Sequence, residues 1–497
     1  MPLHASPDTD PAVWLDQLAE RDRDRVFRAT PDGQRVSYAA MNRRVDGIAA
    51  ALMQRAVTAG DRVVAQVEKS PDAIALYLAC LRVGAVFVPL NTQYTSAEVD
   101  YFLGDADPKL AVGVERGGVT LMDLTREHSG SARMRTDMRQ ADLAALLYTS
   151  GTTGRSKGAM LTRANLATNA IMLAQEWRFT GRDVLLHALP IFHVHGLFVA
   201  INTVLAAGSS MLFLPKFDAD EVIRLLPEAT VMMGVPTFYT RLLQHAAFTR
   251  ERCASIRLFV SGSAPLLAET HREFRDRTGH AILERYGMSE TLMNTSNPYD
   301  GARVPGSVGP PLPGVEVRIA DPESGVPLPE AGSVGMIEVR GPNVFRGYWR
   351  MPQKTAAEFR QDGFFITGDV GRFDRNRYLF IVGRAKDLII SGGYNVYPVE
   401  VETELDALDG VAESAVIGVP HPDFGEGVTA VVVARAGAGL DENALRAALE
   451  QRLAKYKLPK RIVFVSEMPR NAMGKVQKAQ LRERYQDLYN PPRKVSS

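Results

Sequence analysis

Residues 62–90 read RVVAQVEKSPDAIALYLACLRVGAVFVPL. Val63 to Val67 is rich in β-formers and suits a strand. Ser70-Pro71 then opens a helix, each residue in the capping or first-turn position it prefers. That helix is expected to run to about Arg82, with Gly84 ending it, before a second strand from Val86 to Leu90. Strands joined by a helical crossover lie parallel, and a parallel sheet needs cover on both faces. The class is α/β.

The pattern extends outward. Upstream, Met41, Val45, Ile48 and Leu52 recur at helical spacing behind Ser37, a suitable cap. Downstream, Leu143 to Thr149 is a strand entering a glycine-rich turn, and Leu166, Ala170, Leu173 and Trp177 mark the helix after it. Val231 to Met233 and Leu258 to Val260 suit buried strands, although periodicity alone leaves helix open there. From about Gly301 the chain turns Gly- and Pro-rich. Its β-branched runs, Gly314 to Ile319 and Met336 to Val339, point to antiparallel strands in a smaller subdomain. A further change falls at Gly383 to Lys386. Beyond it, strands (Ala415 to Val419, Thr429 to Val433) and helices (Val399 to Leu408, Glu442 to Ala454) are enough for a small independent domain. The expected architecture is a large N-terminal domain, 1–385, of mixed and parallel sheets flanked by helices with a β-rich subdomain, followed by a small α+β C-terminal domain, 386–497.

At 497 residues the chain is too long for one core, and 58 basic against 57 acidic residues leave a net charge of +1. That balance does not indicate a nucleic-acid partner. The start, MPLHASPDTD, lacks the basic and apolar segments of a signal peptide. Cys80 and Cys253 make neither a disulfide framework nor a metal site, and read as small core residues. A cytoplasmic setting fits. Ile191 to Leu214 carries no Asp, Glu, Lys or Arg, but its two histidines, its hydroxyls and its glycines favour a buried helix followed by a strand, Met211 to Leu214, over a membrane span.

The strongest local chemistry lies in Tyr148-Thr149-Ser150-Gly151-Thr152-Thr153-Gly154-Arg155-Ser156-Lys157-Gly158. Glycines let the backbone approach an anion, and hydroxyls and amides then bind phosphate oxygens. It is not the nucleotide-binding P-loop, because glycine follows the lysine and the four-residue spacer is missing.

This segment resembles the phosphate-binding signature of the adenylate-forming enzymes, the superfamily of acyl- and aryl-CoA synthetases, adenylation domains and luciferases. Seven further blocks match in that family's order: Pro190 to His193, Ser261 to Pro265, Tyr286 to Glu290, Phe365 to Asp369, Gly383 to Asp387, Gly392 to Pro398 and Pro469 to Lys475. The resemblance implies an ATP-dependent acid–CoA ligase using ATP, Mg2+ and coenzyme A, whose C-terminal domain is a mobile lid. It implies that Thr149, Ser150, Gly151, Thr152, Thr153, Gly154 and Lys157 hold phosphates, and that Gly262, Ser263, Ala264, Tyr286, Gly287, Met288 and Ser289 form the nucleotide wall. Asp369 and Arg384 would hold ribose or phosphate, Glu290 with Thr152 would bind the metal, and Lys475 would neutralise the α-phosphate. Lys386 occupies the family's hinge position, the Gly392-Gly393 loop would line the pantetheine tunnel, and His193 resembles a gate beside the carboxylate. A core role for His193 and His195 is the competing reading.

Glu284-Arg285 stands where many relatives have small or amide residues, and the stretch Val235 to Arg241, which resembles the lining of the acyl pocket, also ends in arginine. Two guanidinium groups suit a substrate with a second carboxylate, which arginine grips through paired N–H donors. Together with Leu292 to Ser296 this looks like the malonyl-CoA synthetases. It implies malonate, with methylmalonate weaker, held by Arg285 and Arg241 with Ser261 or Ser263. Structural salt bridges from either arginine to Glu284 or Glu269 stay open, as do another short or aromatic acid, oxalate, or the loading of a carrier protein. Oligomeric state is left open.

Overall fold

In the computed structural model Ser70 caps the helix Pro71–Val83 by accepting the Ala73 N–H, and Gly84 closes it at φ +81°. The structure describes residues 10–30, 33–115, 118–126, 138–149, 156–471 and 474–489. The flanking strands, Arg62–Ala65 and Val86–Pro89, pair in parallel. They form a five-stranded sheet with Leu110–Val112, Leu143–Thr149 and Lys157–Thr162. Pro71–Val83 is buried along nearly its whole length, so it lies inside the fold.

Lys157 departs from expectation. The glycine-rich segment does not lead directly into a helix; the chain first returns as the strand Lys157–Thr162, antiparallel to Leu143–Thr149, with Thr149 opposite Lys157. The helix Arg163–Glu176 follows, capped by Thr162. Ser150, Gly151, Thr152, Thr153 and Gly154 lie outside the described residues.

The second sheet has eight strands in the order Leu292–Ser296, Leu283–Met288, Leu258–Ser261, Val231–Gly234, Val184–His187, Ser210–Phe213, Val26–Ala29, Arg35–Ser37. Its central pairings are parallel and its two ends are antiparallel. Ligand sites of such sheets gather at the carboxyl ends of the strands, and here those ends carry His187, Ser261 and Arg285. Within Ile191 to Leu214 the expected buried helix followed by a strand is present, the helix opening as the π-helix His195–Ile201 and continuing as the α-helix Asn202–Ala207 before the strand Ser210–Phe213. Among the described residues no helix is long and apolar enough to cross a membrane.

Beyond Gly301 four antiparallel strands form the expected subdomain: Glu316–Ala320, Gly335–Arg340, Phe365–Phe373 and Leu379–Arg384. From Ile389 onward the chain builds its own five-stranded sheet, and two hydrophobic clusters are drawn wholly from that part. Cys80 and Cys253 are free and buried.

Candidate active site

Arg285 and Glu284 are neighbours on one strand, so their side chains point to opposite faces. Glu284 is fully buried and accepts the Leu266 N–H at 3.1 Å; burial pushes its carboxyl up to about 8. Arg285 is 3% exposed, and among the described residues its Nε and Nη2 have no hydrogen-bond partner. Burial pushes its guanidinium down to about 9, with Tyr239 and Glu284 opposing the shift. Orphaned donors on a buried cation are costly. The salt bridge to Glu284 that the sequence left open does not form among the described residues.

Gly262 makes room for this group. A Cβ there would lie 2.3 to 2.6 Å from Cζ, Nη1 and Nε of Arg285, so the guanidinium rests directly on the glycine backbone. Next to it, the Ser261 hydroxyl is fully buried with no partner among the described residues. Ser263 holds a left-handed backbone at φ +73°, and its hydroxyl lies 3.2 Å from His195 Nδ1. His195 Nε2 is buried and likewise unpartnered. His193 Nδ1 accepts the His195 N–H at 3.2 Å. Burial, then Arg285, hold the His193 ring down to about 4, so it is neutral at pH 7 with its hydrogen on Nε2. The result is a buried cluster of hydrogen-bonding groups around one cation, chemistry that suits an anion.

A second cluster is anionic. Tyr286 donates to Asp369 Oδ2 at 2.6 Å, and Arg384 Nε lies 2.9 Å from Oδ1, so both carboxylate oxygens are held. Gly287 permits the close return of the next strand, since a Cβ would strike the Leu292 carbonyl at 1.8 Å. Ala264, Met288 and Ser289 are partly exposed along the same wall. Glu290, in the turn after Met288, is 6% exposed; Tyr348 reaches it at 3.1 Å and Thr149 at 3.5 Å. Among the described residues no Lys, Arg or His lies within ion-pair distance of it. A buried carboxylate with an oxygen neighbour and no counter-ion is a suitable ligand for Mg2+, which takes one or two carboxylates and completes its shell with phosphates and water.

Lys475 sits in this cleft although it comes from the tail. Gly474, at φ +73°, packs against Thr237, where a Cβ would stand 2.8 Å from Oγ1. Lys475 keeps solvent access along the cleft, yet partial burial and Arg384 push its amine down to about 8 against the pull of Asp369 and Asp387. Lys386 is exposed in the 3-10 turn Ala385–Asp387. Gly392 and Gly393, at φ +58° and +80°, form the two-residue turn of an exposed hairpin.

Arg241 does not join Arg285. It is exposed in the last turn of Pro236–Leu243, whose buried face is Pro236, Tyr239, Leu242 and Leu243. Glu269, its suggested partner, pairs with Arg435 at 3.5 Å. Arg482 of the tail bonds Asp387 at 2.9 Å. The sequence reading missed Tyr348 and Glu358, which border Glu290 and Lys157; neither belongs to a recognisable block.

A family model described as AMP-binding enzyme matches residues 15–349, and one for the AMP-binding enzyme C-terminal domain matches residues 400–475. The chain is 40% identical to the malonate–CoA ligase ACSF3, mitochondrial, of Mus musculus, over 80% of this chain and 77% of that one. It is 37% identical to a feruloyl-CoA synthase of Amycolatopsis over 91% and 94%. The ATP-bound crystal structure of MatB from Rhodopseudomonas palustris is 55% identical, superposes with a TM-score of 0.93, and is covered over 97% of this chain and 100% of that one.

Proposed function

The chain belongs to the AMP-binding enzyme family, and from that premise we propose that it joins malonate to coenzyme A. Malonate attacks the α-phosphate of ATP, releasing diphosphate and forming malonyl-AMP. The thiol of coenzyme A then displaces AMP to give malonyl-CoA. One observation carries the choice of acid: the buried guanidinium of Arg285, whose Nε and Nη2 have no partner among the described residues, clustered with His193, His195 and Ser261. A dicarboxylate supplies the missing anion there and leaves its other carboxylate to react. A monocarboxylic acid leaves the cation unpaired, a discrimination that can reach about 10⁴ when a site is built around a polar group. Relatives that act on malonate and on ferulate have similar identities, 40% and 37%, so the pocket weighs more than overall likeness. Methylmalonate is a weaker substrate in this reading.

Attack on the α-phosphate brings anion to anion, so the residues must neutralise charge as it concentrates. Lys475 donates to the α-phosphate and the entering oxygen. Thr149, Lys157 and the segment 150–154 hold the β- and γ-phosphates, and Asp369 with Arg384 orients the ribose. Gly262, Ser263, Ala264, Tyr286, Gly287, Met288 and Ser289 line the nucleotide. Mg2+, held by Glu290 with Thr152, neutralises phosphate charge when bound. We take residue 385 as the end of the N-terminal domain and Lys386 as the hinge about which the tail turns to present Gly392-Gly393 to the pantetheine arm. Two free, buried thiols support a reducing compartment, for which we propose the cytoplasm.

A substrate panel tests the reading. Diphosphate release with malonate should exceed that with acetate, butyrate or ferulate by at least about a hundredfold in kcat/KM, and free coenzyme A should suffice as acceptor. Equal turnover of butyrate and malonate ends the assignment.

A further inference from the structure

Residues 345–349 run as a strap between two parts of the site. At one end the Phe345 N–H bonds the Glu290 carbonyl at 2.7 Å. Along its length the strap pairs with the strand that carries Lys157: Arg346 N to Met160 O and Met160 N to Gly347 O at 2.9 Å, Trp349 N to Gly158 O at 2.8 Å. Gly347 sits at φ +133°, and a Cβ there would strike the Thr355 side chain at 2.5 Å, so the strap can approach this closely only with glycine. Thr355 Oγ1 in turn accepts the Tyr348 N–H at 2.9 Å. These bonds fix the direction of one side chain, Tyr348, which is 4% exposed.

Its hydroxyl has a single hydrogen and two carboxylates within reach: Glu358 Oε2 at 2.7 Å and Glu290 Oε1 at 3.1 Å. The two acids differ in everything else. Glu358 faces Lys354 at 2.6 Å and Lys157 at 3.5 Å, so its charge is balanced. Glu290 has no counter-ion among the described residues. Lys157 also lies over the Tyr348 ring, 4.9 Å from its centroid. The tyrosine therefore touches both the acid read as the metal ligand and the lysine read as a phosphate contact, and Glu358 holds the far side of both.

We infer that Tyr348 and Glu358 are positioning residues for the adenylation step: the phenol fixes the rotamer of Glu290 while Glu358 fixes Lys157, so metal and phosphate contacts keep one spacing. This rests on the reading of Glu290 and Lys157 given above. Groups that orient a metal ligand are commonly worth about 10- to 100-fold in metal affinity. A purely structural hydrogen bond would lower stability and leave the metal dependence alone.

The test uses the full chain and calorimetric binding of ATP without any carboxylic acid, once with Mg2+ and once with EDTA, alongside melting curves. Tyr348→Phe keeps the ring over Lys157 and its packing on Phe345. It should lose about tenfold in affinity for MgATP, with ATP in EDTA bound as by wild type. Glu358→Gln keeps an acceptor for the phenol but removes the charge facing Lys157, so it should weaken ATP binding with Mg2+ and with EDTA alike, and it tests the Lys157 side even if the phenylalanine variant melts early. Glu290→Gln is the control and should abolish the advantage of Mg2+. Adding Tyr348→Phe to it should then cost nothing more. If Glu290→Gln abolishes that advantage while Tyr348→Phe binds like wild type or loses equally with Mg2+ and EDTA, or while Glu358→Gln binds ATP like wild type under both conditions, the inference is overturned. If Glu290→Gln itself keeps the full advantage, the reading of Glu290 falls instead.

Discussion

Replacing Arg285 by Met should make the ligand-free protein more stable and at the same time useless for malonate. The guanidinium is 3% exposed, without partners on Nε and Nη2 among the described residues, and burial pushes it well below its ordinary value. Arginine stays protonated throughout the pH range in which proteins fold, so the penalty for burying this unpaired charge is present in full at pH 7. Glu284, held up to about 8, is mostly neutral at pH 7, so removing Arg285 strands little negative charge. Methionine fills a comparable volume without the charge. Exchanges of buried ionic groups for apolar ones typically gain about 1–4 kcal/mol, and we expect a gain in that range at pH 7. Melting curves with and without malonate are the assay, paired with diphosphate release. Malonate at 100 times its Kd should stabilise wild type by about 2.7 kcal/mol and leave the variant unmoved. An Arg285→Met protein that melts no higher than wild type without ligand, and still prefers malonate to butyrate, would refute the reasoning.

Three further outcomes follow from the same geometry. Lys475, with its amine at about 8, loses its proton as pH rises, so kcat/KM for diphosphate release should fall above pH 8; Lys475→Arg, which stays charged, should flatten that limb whatever its absolute rate. Gly262→Ala sets a methyl group 2.3 Å from Cζ of Arg285; KM for malonate should rise about tenfold or more with KM for ATP within twofold, a split read by steady-state kinetics. Gly474→Ala adds a side chain at φ +73°, 2.8 Å from Thr237 Oγ1. It should slow adenylation about tenfold by obstructing this closed arrangement, while transfer of the acyl group from supplied acyl-adenylate to coenzyme A proceeds at the wild-type rate.

Local signals explain what was legible. Ser37, Ser70 and Gly84 act on backbone groups within four residues of themselves, and each sits where the sequence put it. Short apolar runs such as Leu258 to Val260 became strands because an apolar segment between breaks has few other ways to bury both faces. Arg285 was legible because two neighbouring blocks converge on it.

Other assignments depended on direction in space. Arg241 and Arg285 look alike in sequence. One lies on the exposed side of an eight-residue helix, the other at the inner end of a strand, and only the packing of Tyr239 and Leu242 decides which. At Gly196 the backbone passes so close to the Pro190 carbonyl that a Cβ would stand 2.0 Å from it, a close approach that only the folded turn reveals. Tyr348 and Glu358 lie 58 and 68 positions from Glu290 and belong to no motif; they meet it because a strap happens to pair with the Lys157 strand. Composition, caps and ordered blocks thus determined the class, the elements and the chemistry on offer, since these depend on neighbours along the chain. Which charges are left without partners, and so what the site can hold, was decided by the tertiary structure alone, because desolvation is a property of everything packed around a group.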